Sequence, residues 1–594
     1  MSKIVFLTVY DDFALGIRIM SRLLDDNGHH TSLVFFKQES YDDLIKEPID
    51  KPINYQIVVN GRLRRGLYDV NPWTPFEVEL LLQHLSKIQP DIIAFSSRSF
   101  LNHRNSELLQ SIKSRFKDVL VIAGGYGPSY NPEIYLDVCD YVVVGEGEAP
   151  MLELVYAFEQ GIEMKGISNI VYRENGSIIR NSVRAMEVNL DQYPIPKMHE
   201  KNIFYIDNNR VYEEDPHKKS YYPVLAGRGC VGACSYCSAG QWKNLYLGTG
   251  KTPPPRRSRS VENVISELLK AKDTGYQFIN FCDSFLTGSK RYLAELFKRY
   301  KEEISLPFFA HFYTKQILTN PEILGWACEA GLYSTAIGIQ SGSDVFSRNI
   351  YERDITSEQI LTVAEMFHKR GIKMDYHFIC GNPLETEEDL IESCDMAAHL
   401  PLDWGKDNLV IFQLQSLPQT PLTERLKTKN LPMVSGNDWY FSAMLYFVRL
   451  FVDKPTFEDI RSSRFFKKNP HYLEVLLKEF SGQKEHKAEA DAVIEANYET
   501  IVCNRMLDLV EDKILIWGTG GAYQDNKHLA YVKEIEALID NDSEKWGQRL
   551  DGIRIAGPDY LKDSESKSVF ICSHFRDEIS NQIQTCYPDI TIIP

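Results

Sequence analysis

The chain lacks what would send it to a membrane, a nucleic acid or an oxidising compartment. No uninterrupted apolar run reaches the ~18 residues that a membrane span needs. The opening Met-Ser-Lys-Ile-Val-Phe-Leu runs straight into a strand pattern without the charged and apolar regions of a signal peptide, so no leader is expected. Positive charge is in the minority, 66 Lys and Arg against 82 Asp and Glu for a net charge of −16. A nucleic-acid partner is therefore not expected, because phosphate binding rests on clustered basic residues. The one basic run, Arg256-Arg257-Ser258-Arg259, is too short to reverse that balance and reads as a solvated loop. Repeats and low-complexity tracts are missing. Cysteine is sparse as well, 11 residues scattered except for one triplet. Together these features place the chain in the reducing cytoplasm, where free thiols survive.

What is present is enough for several cores. The 594 residues are 43% hydrophobic and 25% charged, which suits a globular protein of more than one domain. From residue 3 to about 158, short runs rich in Ile, Val and Phe (4–8, 32–36, 92–96, 120–123 and 141–144) alternate with helix-length stretches such as 14–26 and 106–117. That alternation predicts a doubly wound, Rossmann-like parallel sheet. Ligands of such sheets bind at the carboxyl ends of the strands. Those ends carry Asp11, the segment Ser97-Arg98, the run Gly124-Gly125-Tyr126 and the run Gly145-Glu146-Gly147, where small residues admit a large ligand to the backbone.

After a proline-bearing linker near Tyr193-Pro194-Ile195-Pro196 the alternation resumes. Strands are expected near 224–227, 278–282, 309–313, 334–339, 374–380 and 409–413, with helices near 261–272, 292–300, 321–330, 357–370 and 387–399. Six strand-helix units predict a partial (β/α)6 TIM barrel whose reactive face is again the carboxyl end. Residues 415–512 read as helical, with Trp439, Tyr440, Phe441, Tyr446 and Phe447 as a packing face. The last block restarts with Ile-Leu-Ile-Trp-Gly-Thr-Gly-Gly. It runs as strand, glycine turn, helix and a second strand ending at Asp540, a small Rossmann-like domain. Tyr523 stands at the third glycine position, so the dinucleotide fingerprint is incomplete. The expected division is 1–190, 191–430, 431–512 and 513–594.

Cys230, Cys234 and Cys237 lie in Gly-Arg-Gly-Cys-Val-Gly-Ala-Cys-Ser-Tyr-Cys, spaced C-x3-C-x2-C. Four cysteines would close every iron of a cubane cluster, whereas three leave one iron open to bind a small molecule. Zinc would want four ligands, and no second pair or His cluster stands near enough in sequence to complete a site. The spacing thus argues for chemistry at a 4Fe-4S cluster.

This loop, with Tyr236 before its last cysteine, resembles that of the radical S-adenosylmethionine (SAM) enzymes. The resemblance implies that SAM binds the open iron and that its reductive cleavage gives a 5′-deoxyadenosyl radical. Asp283, in Phe-Cys-Asp-Ser-Phe, matches the family's acidic segment facing the SAM amino group. Gln340 and Ser341, in Gly-Ile-Gln-Ser-Gly, match the ribose- and methionine-contacting segment, with Gln340 where Glu is usual. Gly381 and Pro383 match the turn beside adenine.

A sheet block upstream of such a barrel resembles the cobalamin-dependent subclass, over residues 1 to about 440. The resemblance implies cobalamin held by the loops of Asp11, Ser97, Gly125 and Gly145. Methionine-synthase-like cobalamin domains place D-x-H-x-x-G after the first strand, where the His ligates cobalt. Here the stretch is Asp11-Asp12-Phe13-Ala14-Leu15-Gly16, so Phe13 stands at the histidine position and has no lone pair to give. The expected activity is a cobalamin-dependent radical SAM methyltransferase acting on an unactivated carbon of a small-molecule or carrier-linked substrate, with a flavodoxin- or ferredoxin-type reductant. A ring-forming or rearranging enzyme and a non-catalytic cobalamin or redox sensor stand as alternatives. The C-terminal block resembles the small Rossmann-like modules of sugar- and polysaccharide-modifying enzymes.

Overall fold

The computed structural model describes residues 1–11, 13–38, 41–42, 55–59, 62–66, 73–98, 102–215, 221–247, 249, 254–402, 407–432, 513–524, 533–573 and 575–593. The expected aromatic helical region, 433–512, lies outside them. The chain divides into two compact units, the first holding two large sheets and the second the C-terminal sheet. Among the described residues no helix is long and apolar enough to cross a membrane.

The first sheet is built on β1 (Lys3–Val9), β2 (His30–Phe36), β3 (Ile92–Ser96), β4 (Leu120–Gly124) and β5 (Tyr141–Val143). These pair in parallel in the order β5-β4-β3-β1-β2. Their near-continuous Val, Ile and Phe content follows from burial on both faces, since α1 (Leu15–Asp26), α2 (Pro75–Ile88), α3 (Asn102–Arg115) and α4 (Glu148–Gln160) connect them. Two apolar clusters form on it, one including Val5, Leu7, Phe95 and Leu109, the other Ile4, Phe6, Ile122 and Leu154. Chain order reverses between β1 and β3, the position where open parallel sheets leave a crevice. Two antiparallel strands within 170–180 at one edge, and at the other a parallel strand, Ile203–Asp207, beside β2 with antiparallel Arg210–Tyr212 beyond it, widen it to nine strands.

The second sheet begins with β6 (Tyr221–Val224), which leads into the hairpin β7 (Gly227–Gly229) and β8 (Arg256–Ser258). Then follow α5 (Val261–Asp273), β9 (Phe278–Phe281), α6 (Lys290–Arg299), β10 (Phe308–Phe309), α7 (Glu322–Ala330), β11 (Leu332–Gln340), α8 (Ser357–His368), β12 (Lys373–Cys380), α9 (Glu387–His399) and β13 (Asn408–Gln413). The strands β6, β9, β10, β11, β12 and β13 are parallel neighbours in chain order. Helices α8 and α9 start in capping boxes, Thr356 with Gln359 and Thr386 with Asp389, which satisfy amides that would otherwise be orphaned. Beyond β13 the sheet continues into a hairpin drawn from the N-terminal block, with Val58 opposite Leu409 and Tyr55 opposite Phe412. No local pattern announces that pairing, because its partners are some 350 residues apart.

The C-terminal sheet has β14 (Lys513–Trp517), β15 (Glu534–Ile539), β16 (Ile553–Ala556), β17 (Ser568–Ile571) and β18 (Thr591–Ile593). Their parallel order is β16-β15-β14-β17-β18. Asp540 does end the second strand as its sequence suggests. Its carboxylate already accepts from Thr519, from Lys545 Nζ at 3.0 Å and from the Asp542 amide at 2.9 Å. Tyr523 is fully buried, filling the space a third glycine would leave open.

Candidate functional site

A cavity of about 470 Å³ lies between the carboxyl ends of the first sheet and the start of the second. Asp11, Phe13, Ser97, Arg98, Gly124, Gly125, Tyr126, Gly145, Glu146, Gly147 and Asp283 all line it. Cys230, Cys234, Cys237, Gln340, Ser341, Gly381 and Pro383 do not.

Two glycines shape the wall by necessity. Gly125 has φ 97° and ψ −169°, a region essentially closed to other residues. A Cβ there would stand 2.8 Å from the Ser97 carbonyl oxygen. Gly145, at φ 85°, would push a Cβ into the Tyr246 hydroxyl, which accepts from the Glu146 amide at 2.7 Å. Gly125→Ala is expected to destabilise the first unit by about 1–3 kcal/mol, read as a lower midpoint in urea melts of the first unit, with Gly166→Ala, which meets nothing within 4 Å, as the neutral comparison.

Several nominated side chains are committed to the wall itself. The Ser97 hydroxyl accepts from Asn105 at 2.5 Å and from Tyr135 at 2.9 Å. Asp11 accepts from the Ala14 amide at 2.9 Å and from Arg98 at 3.0 Å. Phe13 precedes α1, lines the cavity and packs on Tyr221 with ring centroids 5.6 Å apart. Among the described residues no histidine lines the cavity. Tyr126 is 42% exposed, yet its surroundings are protein; its open surface is cavity surface. It packs on Trp242 at 4.6 Å, and burial with the nearby Cys237 thiol pushes its phenol up to about 12.

The run Arg256-Arg257-Ser258-Arg259 is not a solvated loop. It forms β8 and its exit, and its three guanidinium groups are buried against carboxylates: Arg256 on Asp283 at 2.9 Å, Arg257 on Glu146 at 2.5 Å, Arg259 on Glu267 at 2.5 Å. A charge run shows its sign in sequence but not its partners, which lie up to 111 residues away. Arg228, on β7, joins Glu146 at 3.3 Å and Glu148 at 2.5 Å. Burial works to raise the Glu146 carboxyl, and Arg257 and Arg228 overcome it and hold it below the usual range.

The cysteine loop leaves the hairpin strand β7. Cys237 donates its amide to the Cys234 carbonyl at 3.2 Å, and the Ser235 amide binds the Tyr351 carbonyl at 3.0 Å. Tyr236 packs edge-on against Tyr351 at 4.7 Å. A Cβ on Gly232 would lie 3.6 Å from both the Cys230 and Cys234 sulfurs, so the bare glycine leaves room over those thiols. Burial pushes the Cys230 and Cys237 thiols up. Among the described residues no three side chains converge tightly enough for one metal ion. A mononuclear site needs every donor at about 2.0–2.3 Å from one point, whereas a cubane takes each thiolate on a separate iron.

Asp283 is fully sequestered. One oxygen faces Arg256, and the other accepts from the Ala226 amide at 2.9 Å. It therefore ties β9 to the turn after β6. Burial pushes its carboxyl up against the pull of Arg256. Gln340 ends β11 in a left-handed conformation, φ 72°, at a break in register with β12. Its Oε1 is buried without a hydrogen-bond partner. A strained backbone and an orphaned acceptor thus stand together at the end of β11. Ser341 is turned inward, with Ser393 Oγ at 3.3 Å and the Ser343 amide at 3.2 Å. Gly381 has φ 81° and opens the turn that continues through Pro383. Sequence reasoning passed over Arg353, whose guanidinium binds the Gly338 carbonyl at 2.6 Å and that of Ile339, bracing the strained end of β11.

Residues 224–397 match the family model described as the radical SAM superfamily, and residues 66–155 match the B12 binding domain. The chain combines a radical SAM domain with a B12-binding domain, the pairing found in the cobalamin-dependent radical SAM enzymes. Its cofactors are a 4Fe-4S cluster, SAM and cobalamin. Residues 510–592 match a further family, C2185-like, N-terminal. An uncharacterized methyltransferase of Pyrococcus horikoshii is 28% identical over 54% of this chain and 67% of its own length. Cytidylyl-2-hydroxyethylphosphonate methyltransferase of Streptomyces wedmorensis is 22% identical over 65% and 73%. The anaerobic magnesium-protoporphyrin IX monomethyl ester cyclase of Rubrivivax gelatinosus is 25% identical over 55% and 56%. The fold is shared with the cobalamin-dependent SAM radical enzyme OxsB, at TM-score 0.54, 15% identity and 85% and 78% coverage. It is also shared with the radical SAM methyltransferase TsrM of Kitasatospora setae, at 0.53, 14%, and 72% and 78%.

The residues of this cobalamin-dependent radical SAM enzyme fit the groups they would hold. Three thiols with a bare glycine over two of them suit a cluster, the orphaned Gln340 oxygen suits a donor-bearing ligand, and the glycine-walled cavity suits a large planar one.

Proposed function

We propose that the chain methylates an unactivated carbon of a small-molecule or carrier-linked substrate. The observation that carries this reading is the cavity that runs from the glycine loops of the first sheet to the hairpin leading into Cys230. A methyl carrier and a radical generator must work on one substrate, and the strand leading into the cysteine loop forms part of the wall that the glycine loops build.

In this reading residues 1–190 form a Rossmann-like cobalamin domain, 191–430 a partial (β/α)6 barrel, 431–512 a helical region and 513–594 a small Rossmann-like domain. Cys230, Cys234 and Cys237 would hold the cluster. Gln340 and Ser341 would meet SAM, Gly381 and Pro383 would flank its adenine, and Asp283 would act by holding the turn between β6 and β7. Asp11, Phe13, Ser97, Arg98, Gly124, Gly125, Tyr126, Gly145, Glu146 and Gly147 would cradle cobalamin, with Phe13 leaving its lower face without a protein imidazole. Once bound, the cluster and SAM supply a 5′-deoxyadenosyl radical and the cobalamin supplies a methyl group. The protein contributes fixed geometry and dry walls. A flavodoxin- or ferredoxin-type partner would deliver single electrons, and the cytoplasm is the compartment that suits the thiols.

SAM labelled in its methyl group tests the reading. Label in the product together with 5′-deoxyadenosine is the expected result. 5′-Deoxyadenosine without label in the product would favour the ring-forming alternative, which the resemblance to the Rubrivivax gelatinosus cyclase keeps in view. Neither product would favour a sensor.

A further inference from the structure

We propose that His311 and His377, inside the second sheet, form a substrate-recognition site for an uncharged molecule that offers a hydroxyl donor on an apolar frame. The proposal rests on the radical SAM reading above and adds the class of substrate to it.

His311 follows β10 and His377 lies on β12, with β11 between them and ring centroids 6.1 Å apart. Alternate strands of a barrel contribute to the same interior layer, so the two rings face one space. Along β12, Met374, Tyr376, Phe378 and Cys380 are buried beneath the outer helices, while Asp375, His377 and Ile379 keep open surface. That surface belongs to the interior. Gly338, the register partner of His377 on β11, presents no side chain, and a Cβ there would come within 2.4 Å of Gln340 Nε2. The Gln340 amide is therefore folded over the gap beside the imidazoles.

Each imidazole in this space, when neutral, offers one acceptor nitrogen. His311 spends its N–H on the Ala336 carbonyl, which leaves its other nitrogen with a lone pair. Burial pushes His311 down to about 4 and His377 to about 3, so both stay neutral near pH 7. Aromatic edges complete the walls, Phe309 at 4.8 Å from His311 and Phe412 at 5.1 Å from His377. Among the described residues the cations nearby are spoken for or distant: Arg353 is held by two carbonyls, and Lys373 sits four residues down the strand, about 13 Å away. Asp375 accepts from Asn408 at 2.6 Å. An anion would be buried there without a counter-charge, a costly arrangement. A hydroxyl would find acceptors already desolvated and aimed.

The test is diethyl pyrocarbonate labelling of the anaerobic holoenzyme with SAM at neutral pH, read by peptide mass at each histidine. Phenethyl alcohol, its methyl ether and phenylacetate serve as probes at equal concentration. The expected result is that His311 and His377 are labelled without a probe, that the alcohol lowers labelling at both severalfold, and that the ether and the carboxylate do not. Absence of labelling at both, failure of the alcohol, or equal protection by ether or carboxylate would overturn the proposal. Cluster absorbance, bound cobalamin and 5′-deoxyadenosine formation are measured on the same preparation. Their loss would sink the parent reading, whereas a loaded enzyme without selective protection would sink only this one.

Discussion

Replacing any one of Cys230, Cys234 and Cys237 with alanine is expected to abolish the iron-sulfur absorbance after anaerobic reconstitution and to reduce 5′-deoxyadenosine formation to that of cluster-free protein. Three thiolates are the minimum that leaves one iron for SAM. With two, a second iron opens and the cubane is no longer held on three sides. The loop offers no substitute, because the nearby Cys282 is turned away, its thiol pointing at the Asn280 carbonyl at 3.5 Å and pushed up to about 12 by burial and Asp283. Cys282→Ala should therefore keep the full absorbance. Retained absorbance in the Cys234→Ala protein, or its loss in Cys282→Ala, would contradict the assignment.

How much of this was legible before folding follows from where the information lies. Strand and helix signals are local, and they place the elements closely: 387–399 is helical as expected, and all six parallel strands of the second sheet appear. The first of these ends at Val224 rather than beginning there, and the third is only Phe308–Phe309, where the pairing with β11 shifts register. The cysteine triplet and the glycine loops could be read because spacing and small size are themselves sequence features. The orientation of Asp283 could not, since its partner Arg256 comes from a hairpin 27 residues upstream. The same holds for Arg353, whose task is to brace a strain at Gln340 that only the folded backbone creates.

Arg257→Met is expected to cost about 3–5 kcal/mol of unfolding free energy in the first unit, the usual penalty for removing one member of a buried ion pair. The side chains of Arg257 and Glu146 are only 4% and 14% exposed, so the remaining carboxylate would stay desolvated with Arg228 as its sole counter-charge. Glu146→Gln should cost less, because a neutral amide still accepts from Arg257. The pH dependence carries a definite sign. The Glu146 carboxyl titrates lower in the folded protein than its ordinary value near 4.5. Its stabilisation is therefore complete above that value, level through neutrality, and lost as pH falls through the lower folded value. Urea melts between pH 8 and pH 4 should show an acid slope that is shallower in Glu146→Gln than in the parent. The double variant should recover part of the single-variant loss, since it leaves no unpaired charge behind. The network spans the cavity loop and the hairpin leading to Cys230, so a purely local role would change stability alone. A role in holding the two cofactor loops together requires cobalamin retention and cluster content to fall in parallel in Arg257→Met, under conditions where the protein is still folded.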